Sequence, residues 1–145
     1  MRGFFGIGIE HGKTVVNLGT LWRSAHLLGA DFIFTIGRRY QKQRSDTMKS
    51  WRSVPLWHFE SVHALHDALP RECLLVGIEL IEQSHKIESF VHPERCTYLL
   101  GAEDHGLTKD ALALCHSIVR LPGDLSMNVA CAGTVIMYDR LMKAA

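Results

Sequence analysis

The stretch CTYLLGAEDHGL, residues 96–107, is the part of the sequence that most directly indicates the fold. It begins with an unbroken apolar run, which is typical of a parallel strand that is covered on both faces. Gly101 then lets the chain turn, and Gly106 allows a second bend. In an open α/β sheet, ligands bind beyond the carboxyl ends of the strands. The stretch therefore predicts a buried strand followed by a turn that a ligand can approach closely.

Strand-like and helix-like segments alternate along the chain on both sides of this stretch. FFGIGIE at 4–10 predicts a first strand, and apolar residues at helical spacing predict a helix over 17–28. Further strands are predicted at 32–37, 56–59, 73–78, 96–101 and 117–122, and further helices at 61–69, 109–115 and 128–142. This alternation predicts a single α/β domain, residues 1–145, with a mainly parallel sheet and helices on both faces.

The composition fits one globular domain in an aqueous compartment. The chain has 145 residues, of which 47% are apolar and 21% are charged, which is enough apolar surface to form a core. Its longest apolar runs, at 32–37 and 73–78, are too short to cross a bilayer. An acid and a histidine near the start interrupt any signal peptide. We therefore expect a cytoplasmic protein without a membrane-spanning helix.

The sequence predicts no metal site. His63 and His66 lie three residues apart on a predicted helix, but no third ligand stands at a suitable spacing. The cysteines are widely separated and form no C-x-x-C pair, so they do not indicate a zinc ribbon or a redox couple. The four cysteines are Cys73, Cys96, Cys115 and Cys131.

Positive charge is concentrated in one polar segment, residues 38–53. Six of the sixteen Lys and Arg residues lie there with a single acid, Asp46, which leaves ten basic and fourteen acidic residues elsewhere. Tyr40 and Trp51 are interleaved with these cations, so the segment combines phosphate neutralisation with aromatic stacking. We predict a polyanion-binding loop. The alternative is an ordinary solvated loop.

The tripeptide GKT at 12–14 resembles the end of a phosphate-binding P-loop, because it follows a strand and precedes a helix. The motif requires a glycine five positions before Gly12, but that position is Ile7, with Gly6 and Gly8 on either side of it. A P-loop aims successive backbone N–H groups at one phosphate, so a shift of one residue removes its geometry. We disfavour nucleotide hydrolysis but keep it as an alternative function.

Two further segments place polar side chains near helix starts. NLGTLWRSAHLLGA, which begins at residue 17, carries Asn17 and Arg23. LPGDLSMNVACA, which begins at residue 121, carries Ser126 and Asn128. Taken singly, each segment has an ordinary structural interpretation, with the Asn and Ser residues as helix caps and the arginine as a solvated charge.

Taken together and in this order, the three segments resemble the three sequence motifs of the SpoU (TrmH) family of RNA ribose 2'-O-methyltransferases, in the SPOUT superfamily. N-x-G-x-x-x-R-x-A from Asn17 is similar to the first motif, and L-G-x-E-x-x-G-L from Leu100 is similar to the second. L-P at Leu121, followed by S-M-N-V, is similar to the third. Three ordered motifs are far more specific than any one of them.

The resemblance implies a SPOUT fold, in which the C-terminal part of the α/β domain is threaded as a trefoil knot and S-adenosylmethionine binds in the knot. Knots are so rare that topology rules alone would not predict one. It also implies a homodimer, which suits a last helix that is apolar almost all round. Which protomer completes each active site stays open.

The resemblance also implies roles for individual residues. Arg23 is expected at the ribose hydroxyl, where its permanent charge suits stabilisation of a developing alkoxide better than proton abstraction. Glu103 is expected either to accept a proton or to hold Arg23. The implied catalytic residues are Asn17, Arg23, Glu103, Ser126 and Asn128; the cofactor-binding residues are Ile78, Glu79, Leu100, Gly101, Leu121 and Met127; and the RNA-binding residues are Arg38, Arg39, Lys42, Arg44 and Arg52.

The expected substrate is RNA, with tRNA favoured over ribosomal RNA because no RNA-binding extension is recognised at either end. The main alternative is an RNA-binding protein that keeps this fold without the activity. We disfavour it because an inactive relative would be free to lose its catalytic side chains, whereas all the expected ones are present.

Overall fold

The computed structural model describes residues 3–39 and 53–144. The strands are β1 Phe4–Glu10, β2 Phe32–Ile36, β3 Leu56–Phe59, β4 Leu74–Ile78, β5 His85–Lys86, β6 Arg95–Leu100 and β7 Ser117–Arg120. The helices are α1 Val15–Leu28, α2 Val62–Ala68, α3 Lys109–Leu114 and α4 Val129–Ala144. Within the described ranges, these seven strands form one sheet in the order β3-β2-β1-β6-β4-β7-β5, and each pair is parallel. The predicted α/β class with a parallel sheet is confirmed.

The six predicted strands and four predicted helices are all present, with ends that differ by at most two residues from the predicted ones. Ser61 and Thr108 cap α2 and α3, each accepting a backbone N–H through its side chain. The interpretation of Asn17 as a cap is wrong, because α1 begins earlier and its N-cap residue is Thr14. The sequence does not predict β5, since its two residues are polar and exposed at the sheet edge.

One face of the sheet is covered by α1 and α4, which also pack against each other. Gly133 of α4 permits the close approach, because a Cβ at this position would lie 2.3 Å from a methyl carbon of Leu21. The hydroxyls of Thr134 and Ser24 are joined by a 2.9 Å hydrogen bond between the two helices. No helix in residues 3–39 and 53–144, including α4, is long and apolar enough to span a membrane.

The opposite face is covered by α2 and α3, and its packing explains two glycines of β1. Gly6 is paired with Phe32 and Gly8 with Phe34 in the sheet register, and each phenylalanine ring lies over its glycine. A Cβ on Gly6 would lie 2.2 Å from the Phe32 ring. These glycines therefore belong to a buried strand and not to a phosphate-binding loop, which removes the structural basis for nucleotide hydrolysis.

A buried polar network fixes the C-terminal half of α4 to the segment that precedes β6. His92 contacts the Tyr98 hydroxyl through Nδ1 and the Asp139 carboxylate through Nε2, at 2.7 Å each. Arg140, only 7% exposed, donates to the Tyr98 hydroxyl and to two backbone carbonyls of that segment. Lys143 pairs with Asp139 at 2.8 Å. Each of these side chains has a hydrogen-bond or ion-pair partner, so the network stabilises α4 and leaves no charged group unpaired in apolar surroundings.

Candidate active site

A cavity of about 420 Å³ opens where β4, β6 and β7 end, the position at which an open parallel sheet binds its ligand. This volume is within the range of small-molecule and cofactor sites. The structure places all the residues predicted to bind the cofactor on its walls, namely Ile78, Glu79, Leu100, Gly101, Leu121 and Met127. Two of the predicted catalytic residues, Glu103 and Ser126, also line it.

The turn over residues 101–107 forms one wall, and two glycines determine its shape. A Cβ on Gly101 would lie 2.3 Å from the backbone carbonyl carbon of Gly106, so a side chain does not fit there. Gly106 has a φ of +67°, in the left-handed region that favours glycine. The Gly106 N–H donates to the Ala102 carbonyl at 3.0 Å, which closes the turn. Backbone groups are therefore exposed to the cavity at a fixed position.

Two carboxylates from neighbouring parts of the sheet hold the end of this turn. Glu79, just after β4, accepts the Leu107 N–H at 2.7 Å. Glu10, at the end of β1 and only 1% exposed, accepts the Thr108 N–H at 2.9 Å and its hydroxyl at 2.8 Å. Hydrogen bonds to an ionised acceptor are stronger than neutral ones. Sequence reasoning missed Glu10, although an acid at the end of an otherwise apolar strand was an available signal.

A chain of hydrogen bonds joins the three motif segments beside the cavity. Asn17 is 8% exposed, and its Nδ2 donates to Glu103 Oε1 at 2.7 Å. The Asn17 Oδ1 accepts from Asn128 Nδ2 at 3.2 Å. The second carboxylate oxygen of Glu103 accepts the Lys13 N–H at 3.1 Å. The structure thus brings together three of the five predicted catalytic residues in one network.

These bonds control the charge of Glu103. Partial burial on its own raises the pKa of this carboxyl, but the hydrogen bonds from the Asn17 side chain and from nearby backbone N–H groups outweigh it and hold the pKa below its usual value. Glu103 therefore faces the cavity as a carboxylate at neutral pH. The cavity walls carry two other acids, Glu79 and Asp104, and among the described wall residues no Lys or Arg.

Arg23 does not join this network within one chain. It is exposed on α1 and does not line the cavity. Val16, Thr20, Arg23 and Leu27 recur at helical spacing along the same exposed face of α1. The predicted residue at the reacting hydroxyl therefore lies on an outward surface that includes apolar side chains.

The predicted RNA-binding segment is described only in part. Arg38 donates to the backbone carbonyl of Lys13, and the Lys13 side chain pairs with Asp104 of the 101–107 turn. Arg39 lies 3.4 Å from Glu60. Lys42, Arg44 and Arg52 lie outside the described residues. The start of the basic segment thus connects through Lys13 to the wall of the cavity.

Comparison with known proteins identifies the family. The sequence profile of the SpoU rRNA Methylase family matches residues 7–138. No curated protein sequence matches the chain. Among solved structures, the SpoU methyltransferase AviRb from Streptomyces viridochromogenes, in complex with AdoMet, is similar with a TM-score of 0.88 and 24% identity, over 99% of this chain and 59% of that chain.

Two further structures share the fold at lower identity. A TrmH/SpoU tRNA modifying enzyme from A. aeolicus has a TM-score of 0.86 and 16% identity, over 99% of this chain and 76% of that chain. A structure that gives insights into the 2-OH methylation of C/U34 on tRNA has a TM-score of 0.83 and 22% identity, over 100% of both chains. This chain spans about 60% of the length of the AviRb chains.

The family profile covers most of the chain, and the fold is shared with structures of that family. Segments that resemble all three family motifs meet beside one cavity. The chain therefore belongs to the SpoU rRNA methylase family.

Proposed function

We propose that this chain is an S-adenosylmethionine-dependent RNA methyltransferase that modifies a ribose 2'-hydroxyl. The observation that carries the proposal is the cavity at the carboxyl end of the sheet, whose described walls combine three acids with no Lys or Arg. Such walls favour a cationic ligand, and S-adenosylmethionine carries both a sulfonium and an ammonium. The AdoMet complex of AviRb, which shares the fold, supports the same cofactor.

The residues of the chain would supply alignment and electrostatics. When bound, the cofactor provides an electrophilic methyl group on a positively charged sulfur. Backbone groups at Leu100, Gly101 and Leu121 would hold it, with Ile78 and Met127 against it, so that the methyl carbon faces the ribose oxygen. Arg23 would stabilise the negative charge that develops on this oxygen as its proton passes to solvent water. Ser126, which also lines the cavity, would lie close to the reacting ribose oxygen.

Arg23 can serve this reaction if a second copy of the chain supplies it. The helix α1, whose exposed face carries Arg23, packs against α4. On α4, Cys131, Val135, Tyr138 and Met142 form an exposed stripe at helical spacing. Exposed apolar surface of this kind marks a protein interface. We therefore propose a homodimer in which this surface is buried and Arg23 acts in the cavity of the partner protomer.

The RNA would approach along the basic segment. Arg38 and Arg39, together with Lys42, Arg44 and Arg52, offer phosphate-binding charge, and Arg38 connects to the cavity wall through Lys13. We favour tRNA, because the similar structure that matches this chain over the full length of both chains concerns 2-OH methylation on tRNA. A trefoil knot in the C-terminal part and a cytoplasmic location complete the proposal, and both rest on the family resemblance and the sequence.

The test is to incubate the protein with labelled S-adenosylmethionine and total cellular RNA, and then to map the modified nucleotide. Label in a ribose 2'-O-methyl group of a tRNA is the expected result. Arg23→Ala should reduce methyl transfer by at least about 100-fold, because a transition-state charge partner is lost. Its affinity for S-adenosylmethionine, measured by calorimetry, should stay close to that of the unmodified protein.

Arg71→Ala is the matched control, since Arg71 is an exposed arginine that does not line the cavity, and it should keep full activity. Full activity in Arg23→Ala would reject the assignment of Arg23. A protein that binds RNA and cofactor but labels no RNA would instead support the alternative, an inactive RNA-binding member of the fold.

A further inference from the structure

The orientation of the Asn128 side chain is determined by the helix that it caps. Asn128 Oδ1 accepts the backbone N–H groups of Ala130 and Cys131, at 3.0 and 3.2 Å, at the start of α4. These donors cannot be satisfied by the NH2 group, so the amide has one favourable orientation. Its Nδ2 is consequently directed away from the helix, towards Asn17.

The same reasoning fixes Asn17. Its Oδ1 accepts from Asn128 Nδ2 at 3.2 Å, which leaves Nδ2 as the group that faces Glu103 at 2.7 Å. Asn17 is nearly buried, so water does not readily replace either partner. The N-terminus of α4 therefore sets the donor and the acceptor of both hydrogen bonds that connect Asn128 to Asn17 and Asn17 to Glu103.

We propose that Asn128 is a positioning residue, which acts through Asn17 to hold the Glu103 carboxylate in its ionised, oriented form at the cavity. This inference rests on the proposed function, because it assigns Asn128 a role in the methyl-transfer site without contact with substrate or cofactor. The ionised carboxylate is the group that would orient Arg23 or the ribose hydroxyl. Glu103 then serves as a fixed anion and not as the proton acceptor.

Other charged groups around Glu103 do not replace this role. Lys13 reaches Glu103 through its backbone N–H, while its ammonium pairs with Asp104. His105, on the same turn as Glu103, also lies beside Asp104. Glu79 faces the same cavity and uses its carboxylate on the Leu107 N–H. The side-chain amide of Asn17 is the largest cause that lowers the pKa of Glu103.

Asn128→Asp tests the proposal, because it separates capping from positioning. Aspartate caps helices as well as asparagine does, so α4 should keep its cap and the variant should still unfold cooperatively. The second carboxylate oxygen of the variant side chain cannot donate to Asn17 Oδ1, so Asn17 must turn its amide to face that oxygen with its NH2 group. Glu103 would then face a carbonyl oxygen and lose its donor.

The direct measurement is the pKa of Glu103, followed by ¹³C NMR of protein labelled at its glutamate carboxyls. Loss of the Asn17 donor should raise this pKa, because the hydrogen bond from Asn17 is the largest cause that lowers it. The acid limb of the pH–rate profile should move to higher pH by a similar amount. The turnover number should fall about tenfold, while the affinity for S-adenosylmethionine changes less than about twofold.

Asn128→Ser is a second variant that keeps a capping oxygen, removes the amide donor and adds no charge, so it should show a smaller rise in the same pKa. An unchanged Glu103 pKa in a folded Asn128→Asp protein would overturn the proposal. So would a large loss of cofactor affinity without a pKa shift, because Asn128 would then act on the cofactor itself. A shifted pKa in a protein that methylates no RNA would support the positioning role and reject the proposed function.

Discussion

Glu10, at the carboxyl end of β1, holds the 101–107 turn through Thr108. Its carboxylate is almost completely buried, yet it serves two donors of a single residue, Thr108, whose hydroxyl also caps α3. A buried carboxylate is costly unless hydrogen bonds compensate for lost hydration. The shape of the 101–107 turn, and with it the exposure of its backbone groups, therefore depends on a residue that does not line the cavity.

Glu10→Gln should weaken both this turn and cofactor binding. The amide keeps the shape of the side chain but replaces a charged acceptor of two bonds by a group with one acceptor oxygen, a loss of about 1.5 kcal/mol or more. We expect a lower thermal midpoint and a roughly tenfold weaker affinity for S-adenosylmethionine by calorimetry. The exposed Glu82→Gln provides the control. Unchanged affinity and stability in Glu10→Gln would show that the turn holds its shape without this anchor.

The cavity residues differ in how far the sequence reveals them. Local patterns predict the strands that contain Leu100 and Leu121 and the turn at Gly101, whereas the assignment of these residues to the cofactor comes from the family resemblance. Asn17 is different: a pattern of residue types suggests a cap, and only the tertiary contact with Glu103 gives it another role. Arg23 is expected at the reacting hydroxyl from the family resemblance alone, and no local pattern shows that it lies on an exposed face away from the cavity of its own chain.

At the scale of elements, α4 is fixed at both ends by different chemistry. Its first turn is capped by Asn128, and its last turns are held by the network of His92, Tyr98, Asp139 and Arg140. Apolar runs and caps predict the existence of α4 and of six strands, because those signals are local. The network is not predictable in this way, since its members are separated by more than forty residues.

The His92 network predicts a pH-dependent stability. Burial lowers the pKa of His92 more than its bond to Asp139 raises it. The unfolded chain therefore binds a proton below about pH 6.5 that the folded chain does not bind until lower pH. Stability should fall as the pH drops below about 6.5, with a slope approaching 1.4 kcal/mol per pH unit for one proton, on the order of magnitude given by linkage.

Asp139 adds a second loss at lower pH. Burial raises the pKa of Asp139, but hydrogen bonds from Lys143 and His92 outweigh this effect and lower the pKa below its usual value. Asp139 therefore stabilises the folded chain at pH values above the usual aspartate pKa. This stabilisation disappears as the pH falls through the lowered pKa. Urea unfolding at pH 7.5 and 5.5 would isolate the His92 part. His92→Gln keeps both hydrogen-bonding ends without titrating, so its stability should depend less on pH, whereas the exposed His63→Gln should behave as the unmodified protein. Equal pH dependence in all three would contradict this account.

At the scale of the whole molecule, the outward surface of α1 and α4 is the surface that the proposed homodimer would bury. Val135 and Tyr138 are 36% and 55% exposed on this surface, beside the helix face that carries Arg23. If Arg23 has the proposed role, a single chain lacks this group at its own cavity, because its Arg23 does not line that cavity. If the proposed homodimer forms, assembly and activity depend on the same side chains.

Val135→Glu should therefore convert a dimer into a monomer and reduce methyl transfer together with it. An unpaired carboxylate in the centre of an apolar interface is strongly unfavourable, by several kcal/mol. Sedimentation velocity would measure the oligomeric state, and labelled-RNA assays the activity. Ala68→Glu is the matched control, because Ala68 is exposed on α2, which covers the opposite face of the sheet. A dimeric, active Val135→Glu protein would place the interface elsewhere.

The two glycines of β1 also restrict how this sequence can drift during evolution. At Gly6 the three atoms nearest to an added Cβ all belong to the Phe32 ring, so a larger residue at 6 is tolerable when residue 32 becomes smaller at the same time. At Gly8 the nearest obstacle includes the backbone carbonyl of Phe34, which no substitution can remove. Positions 6 and 32 should therefore vary together among descendants of this chain, while position 8 has no compensating partner and should not vary at all.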